Sequence, residues 1–164
     1  MEDKRPNVVV SFSKVALPYG WLGNMSPYKL QYNGKIWLTA EALFQALRYD
    51  DEIIQEEIRM IKSPMGAKMR AKTFKDKMVV VPMSEQDVQN MKLCIRLKLE
   101  NNPLLKQKLL ITKEFEIIED IGIRNKERDK FWGAKKENGI WIGTNTLGKI
   151  WMEVRDEIKN EITT

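Results

Sequence analysis

The stretch Thr39-Ala40-Glu41-Ala42-Leu43-Phe44-Gln45-Ala46-Leu47-Arg48-Tyr49 reads as a helix capped by Thr39 and running to about Tyr49. At 100° per residue, Ala42, Leu43, Phe44, Ala46 and Leu47 cover an apolar arc of roughly 200°. Glu41, Gln45 and Arg48 fall within roughly 60° of one another on the remaining arc. The helix is therefore mostly buried, with an acid, an amide and a cation on its one polar stripe. Two readings fit that stripe. One is an exposed face with a Glu–Arg pair. The other is the wall of a cleft, where a carboxylate near a helix N-terminus is favoured by the helix dipole. It would then stabilise a developing cation or activate a water.

Outward from this helix the chain punctuates itself. Upstream, Tyr28 to Tyr32 and Lys35 to Leu38 read as two short strands around Asn33-Gly34, the strongest short hairpin signal. Val8 to Phe12 reads as a further strand. Downstream, a helix is expected over about Asp51 to Ile61, with Ile54, Ile58 and Ile61 on one face. Ser63-Pro64 opens a third. Met65 and Met69 on it read as core filler. Met78 to Val81 is strand-like. Ser84-Glu85-Gln86-Asp87 resembles a capping box before a long helix to about Glu100, and Pro103 starts another. Phe115 to Glu119 reads as a strand, and Asp120 to about Lys136 as a long basic loop. Asn145 caps a last helix with Leu147, Ile150, Trp151, Val154 and Ile158 on one stripe. Helices outnumber short strands and do not alternate regularly with them. The expected class is α+β, a compact single domain over 1–164 with mostly helices around a small set of short strands.

Composition narrows the chemistry. The 164 residues, 43% hydrophobic and 31% charged, suit one soluble domain able to bury roughly 70% of its unfolded surface. No apolar run approaches the ~18 residues of a membrane span. Met1 to Pro6 lacks the apolar core of a leader, and a lone Cys94 fits a reducing compartment, so a cytoplasmic setting is expected. There is no histidine, which removes Ser-His-Asp and Cys-His pairs and His-ligated zinc. General acids and bases are left to Asp, Glu, Lys or Tyr.

The net charge of +5 permits an anionic partner. Two basic runs stand out. Arg59, Lys62, Lys68, Arg70, Lys72, Lys75 and Lys77 face a single acid, Asp76, and Arg124, Lys126, Arg128, Lys130, Lys135 and Lys136 face Glu127 and Asp129. They read either as solvated faces or as attractors for a phosphate-bearing ligand. Gly143 to Lys149 has GxxxxGK spacing, but Ile150 stands where a phosphate loop needs Ser or Thr. What survives is a helix start whose free N–H groups could hold an anion, or a plain turn and cap. Phe131-Trp132-Gly133 reads as a core anchor or as a stacking platform.

These segments in order resemble the NADAR (YbiA-like) family. Trp37 and Thr39 to Tyr49 look like its W-x-[ST]-x-E-H-x-F-Q-A-x-K-[FY] motif, and Leu22-Gly23-Asn24-Met25 like its L-S-N-F. Ile61-Lys62-Ser63-Pro64 and Ala67 fit the stretch after the motif helix. Asp129-Lys130-Phe131-Trp132-Gly133 looks like D-x-F-W-G, and Gly143 to Arg155 like G-x-N-x-L-G-x-x-L-M-x-x-R. The match runs from about 12 to 157.

The resemblance implies a compact α+β fold and an N-glycosidase that hydrolyses the C1′–N bond of a phosphorylated N-riboside or ADP-ribosyl compound. The substrate would be a riboflavin-intermediate-like ribosylamine or an ADP-ribosylated guanine, with ADP-ribosylated nucleic acid as a further candidate partner. It implies Glu41 and Asp129 as catalytic residues, with Asn24, Trp37, Phe44, Gln45, Arg48, Trp132, Gly133 and Asn145 binding substrate. Trp132 would stack on the base, and Arg48, Lys62 or Lys149 would hold phosphate. No metal, histidine or cofactor is required.

Three positions depart from the pattern: Ala42 stands for the motif's His, Arg48 for its Lys, and Trp132-Gly133-Ala134-Lys135 for W-G-x-G. Arginine does not deprotonate at working pH, so Arg48 cannot form a lysine-type imine. Two other readings stand beside the enzyme: a non-catalytic binder of NAD- or ADP-ribose-type nucleotides, and a basic nucleic-acid module.

Overall fold

The computed structural model describes residues 8–163. The leader reading at Met1 to Pro6 lies outside them. In chain order the elements are β1 (Val9–Phe12), β2 (Leu30–Tyr32), β3 (Lys35–Trp37), α1 (Ala40–Ala46), α2 (Glu52–Arg59), α3 (Pro64–Lys72), α4 (Glu85–Asn101), α5 (Pro103–Ile111), β4 (Glu116–Glu119), α6 (Glu127–Trp132), β5 (Lys135–Glu137), β6 (Ile140–Ile142) and α7 (Thr146–Thr163). The class is α+β, as expected. Among the described residues no helix is long and apolar enough to cross a membrane. The described chain divides into two compact units, residues 21–106 and residues 8–20 with 107–163, the division falling inside α5.

In the unit of residues 21–106, β2 and β3 pair antiparallel with Leu30 opposite Trp37, around Asn33-Gly34. Helix α1 is buried along its whole length. Its neighbours begin on side-chain caps: Asp51 for α2, Ser63 for α3 and Ser84 for α4. Ile54 and Ile58 of α2 are buried, as the spacing predicts. The Tyr49 hydroxyl donates to the carbonyl of Ala71 at 2.5 Å, tying the end of the motif stretch to α3.

Three expectations are corrected in this unit. The motif helix stops at Ala46, with Leu47 as its C-cap, so Arg48 leaves from a turn. Met78 to Val81 forms no strand: the N–H groups of Val79 and Val80 share one acceptor, the Arg48 carbonyl, at 2.9 and 3.2 Å. A β-branched run with a single carbonyl as its partner has no ladder to join. Met65 and Met69 are not core filler. They are 53% and 63% exposed, because α3 packs through Ala67 and Ala71 instead.

In the unit of residues 8–20 and 107–163, β1 and β4 pair in parallel from Val9 opposite Glu116 to Phe12 opposite Glu119. The stripe Leu147, Ile150, Trp151, Val154 and Ile158 of α7 is buried. Arg155, also buried, donates from Nη1 to Thr112 Oγ1 at 2.9 Å and to the Phe115 carbonyl at 2.8 Å. The segment from Asp120 to Lys136 is not a loop. It holds α6 and the start of a second hairpin, β5–β6, around Asn138-Gly139. Asn138 and Gly139 have φ of 50° and 77°, against 50° and 73° at Asn33 and Gly34. The same turn chemistry closes both hairpins.

Candidate functional site

The polar stripe of α1 becomes a connected set of side chains. Thr39 caps the helix by accepting the Ala42 N–H at 3.1 Å. This leaves Glu41 in the first turn, 7% exposed. The Glu41 N–H donates to the Asn24 carbonyl at 3.1 Å, so the turn carrying Asn24 lies against the start of α1. Glu41 Oε1 accepts the Gln45 side-chain amide at 3.0 Å. No other hydrogen bond among the described residues reaches that carboxylate, which leaves acceptor capacity for a ligand. Gln45 Oε1 in turn accepts Arg48 Nη1 at 3.4 Å.

Arg48, expected to hold phosphate, has a carboxylate partner here. Its Nε and Nη2 donate to the two oxygens of Asp87 on α4, each at 2.9 Å. Its guanidinium lies 4.7 Å from the centre of the Phe44 ring. The Arg48 side chain is 12% exposed and that of Asp87 0%. Asp87 also accepts the Met83 N–H at 2.9 Å. The Cys94 thiol is pushed up in pKa, first by burial and then by the charges of Glu41 and Asp87.

Asn24 is incompletely satisfied. Its Nδ2 lies 2.9 Å from the Met91 sulfur, a weak acceptor, and its buried Oδ1 has no partner among the described residues. The buried indole nitrogen of Trp37 is also unpartnered. Unmet buried polar atoms in the turn that pairs with the start of α1 and in the strand that precedes it are what a site keeps for its ligand.

In the other unit the expected residues lie on or next to α6 and α7. Asp129 Oδ2 accepts the Lys126 N–H at 3.2 Å at the start of α6, and Oδ1 lies 3.4 Å from Arg124 Nη1. Trp132 meets Phe131 edge-on at 4.9 Å. Gly133 donates to the Asp129 carbonyl at 2.8 Å and accepts the Asn145 N–H at 3.1 Å. The Asn145 amide clamps β4: Nδ2 donates to the Ile117 carbonyl at 2.9 Å and Oδ1 accepts the Glu119 N–H at 3.0 Å. Gly148 explains the close fit. A Cβ there would sit 2.1 Å from the Ile117 carbonyl oxygen. Gly148 and Lys149 are helical, so the GxxxxGK spacing builds a packing node of α7 on β4 rather than a phosphate loop.

An open groove of about 770 Å³, lined among others by Ile53, Met60, Ile61 and Arg70, includes none of the expected site residues. Its charges pair locally: Glu56 with Lys35 and Arg59, Glu57 with Arg70. Among the described residues no group of three His, Cys, Asp or Glu side chains is arranged to hold a metal ion. Sequence reasoning missed Asp87. The signal was present, an acid at the third position of α4, but the capping-box reading absorbed it.

The NADAR domain family matches residues 11–159. N-glycosidase YbiA of Escherichia coli (strain K12) is 31% identical over 157 residues, covering 94% of this chain and 91% of that protein. A riboflavin biosynthesis protein of Vibrio vulnificus (strain YJ016) is 30% identical over 166 residues, covering 96% of this chain and 41% of that longer protein. The NMR structure of Escherichia coli YbiA is similar at a TM-score of 0.79 and 29% identity, covering 96% of this chain and 88% of that one. With its motif residues placed and nearly its whole length matched, the chain belongs to the NADAR domain family.

Proposed function

We propose that this chain hydrolyses the C1′–N bond of a phosphorylated N-riboside, with a riboflavin-intermediate-like ribosylamine or an ADP-ribosylated guanine as the substrate class. That the chain is an N-glycosidase follows from its relatives; the substrate and the residue roles are the proposal. The observation that carries it is the Glu41 carboxylate, buried, held through one oxygen by Gln45, on a helix start that pairs through its backbone with Asn24, whose buried Oδ1 has no partner among the described residues.

Breaking a C1′–N bond develops positive charge on the ribose, and glycosidases meet such charge with carboxylates. Glu41 stabilises that cation or orients the attacking water. The base leaves with a proton, for which Asp129 is the proposed second carboxylate. Asn24, Trp37, Phe44, Gln45, Gly133 and Asn145 are the proposed lining, with Trp132 stacking on the base. Where nucleic acid takes part, it does so as carrier of an ADP-ribosyl adduct.

The test is base release, followed by chromatography, from riboflavin-pathway ribosylamines, NAD, ADP-ribose compounds and ADP-ribosylated guanine nucleic acid. Glu41→Gln should lower turnover by about a hundredfold or more while nearly preserving ligand affinity. Equal activity in the two proteins sinks the Glu41 assignment. Binding without release by the wild type moves the reading to a nucleotide-binding protein, with Ala42 and Arg48 as the residues to question.

A further inference from the structure

We propose that Asp87 and Arg48 are positioning residues for Glu41, and that this face of the site takes the uncharged ribosyl and base part of the substrate rather than its phosphate. The inference rests on the reading of Glu41 as the reacting carboxylate.

A glutamine amide has a donor end and an acceptor end, and nothing in its own shape chooses between its two orientations. Gln45 stands between a group that only donates and one that accepts. Arg48 Nη1 draws Gln45 Oε1 toward itself, so the amide NH₂ faces Glu41 Oε1. Reversed, the amide would set oxygen against carboxylate oxygen and nitrogen against guanidinium. Arg48 can enforce the choice because it is itself fixed. Two parallel bonds to Asp87 and the Phe44 ring hold the guanidinium plane. Asp87, fully buried, is pinned by the Met83 N–H as well.

Charge points the same way. Arg48 and Asp87 cancel, and Glu41 leaves this cluster net negative, which disfavours a phosphate dianion. For a phosphate to take the Arg48 fork it would have to displace a buried carboxylate, leaving that charge without compensation.

The experiment measures kcat and KM for a riboflavin-pathway ribosylamine as its 5′-phosphate and in dephosphorylated form. The proteins are wild type, Arg48→Lys, Arg48→Met and Asp87→Asn. Lysine keeps the charge and can meet a phosphate as a point cation, but it lacks the fork. All three variants are expected to lose about tenfold or more in kcat. KM should stay within about threefold, and the preference for phosphorylated over dephosphorylated substrate should not change. Wild-type kcat in Arg48→Lys overturns the proposal. So does a rise in KM confined to the phosphorylated substrate in Arg48→Met and reversed in Arg48→Lys.

A second readout needs no turnover. The Gln45 side-chain amide resonances should move in Arg48→Lys and in Asp87→Asn, and unchanged resonances in a folded Arg48→Lys protein overturn the positioning claim. If the wild type releases no base from any probe, the N-glycosidase reading fails by itself, and the Gln45 resonances still decide what orients the amide.

Discussion

Lys98 is a buried lysine that donates to three uncharged groups. Its Nζ donates to the Trp21 carbonyl at 2.6 Å, to Ser26 Oγ at 2.8 Å and to the Gly23 carbonyl at 3.0 Å. It therefore holds the turn in which Asn24 sits. Burial lowers its pKa to about 7. Ser26 Oγ accepts from Lys98 while its own hydroxyl donates to the Gly23 carbonyl at 2.6 Å, so the three partners are acceptors toward the amine and carry no countercharge. Between the folded value near 7 and the ordinary 10.5, the unfolded chain binds the extra proton, so stability should rise with pH through that window. Lys98→Met removes the donors and should destabilise by about 2 kcal/mol near pH 7. The gap between wild type and variant should widen by up to ~1.4 kcal/mol per pH unit above 7. Urea melts of both proteins at pH 6 and 8.5 measure it; the Cys94 thiol is common to both proteins and drops out of the gap. A constant gap means that Lys98 is not neutralised in the fold. At this scale the sequence disclosed Glu41 and Gln45, because a helical period sorts one stripe. It did not disclose Asp87 or Lys98, whose partners are 39 and about 75 positions away. Nor did it disclose that the Asn145 amide is occupied by β4, since a helix cap and a strand clamp call for the same residue type.

Helices α1 to α4 each begin on a side chain that accepts from the helix's own first turn, and these caps separate stability from function. Thr39 and Ser63 make similar bonds, at 3.1 and 2.8 Å. Either one changed to alanine should cost about 1 kcal/mol in a denaturation experiment. Only α1 carries Glu41 in its first turn, so Thr39→Ala should also lower kcat, whereas Ser63→Ala should leave it unchanged. Equal turnover in the two variants would mean that the α1 start is held by its packing and not by its cap. The same local signals explain which elements were legible. Ser63-Pro64, Ser84 and Asn33-Gly34 act through nearest neighbours, and all three elements formed. Asn138-Gly139 carried the same hairpin signal, but Lys135-Lys136-Glu137 before it shows no apolar alternation and so reads as loop. Met78 to Val81 erred the other way, because β-branched residues make a strand only when a second backbone arrives to pair with them.

Charge belongs to the whole molecule, and it tests the nucleic-acid reading. The net +5 is concentrated in two basic runs, but part of each run is already answered. Arg59 pairs with Glu56 and Arg70 with Glu57 in the first. In the second, Arg124 lies near Asp129 and Glu119, and Lys135 pairs with Glu137. A module built to grip a phosphate backbone presents many cations at once, and each neutralised phosphate adds about 0.9 to the slope of log affinity against log salt. Cations that already have carboxylate partners release fewer counterions on binding. Affinity for unmodified duplex DNA should therefore be weak, with a slope no steeper than about −4, corresponding to about four phosphates. Fluorescence anisotropy with a labelled duplex between about 50 and 200 mM salt gives that slope. A value of about −6 or steeper would show that the basic runs act together on nucleic acid, and the small-molecule reading would then have to share the protein with a nucleic-acid partner. A shallow slope leaves the charge as a general attraction for anionic substrates.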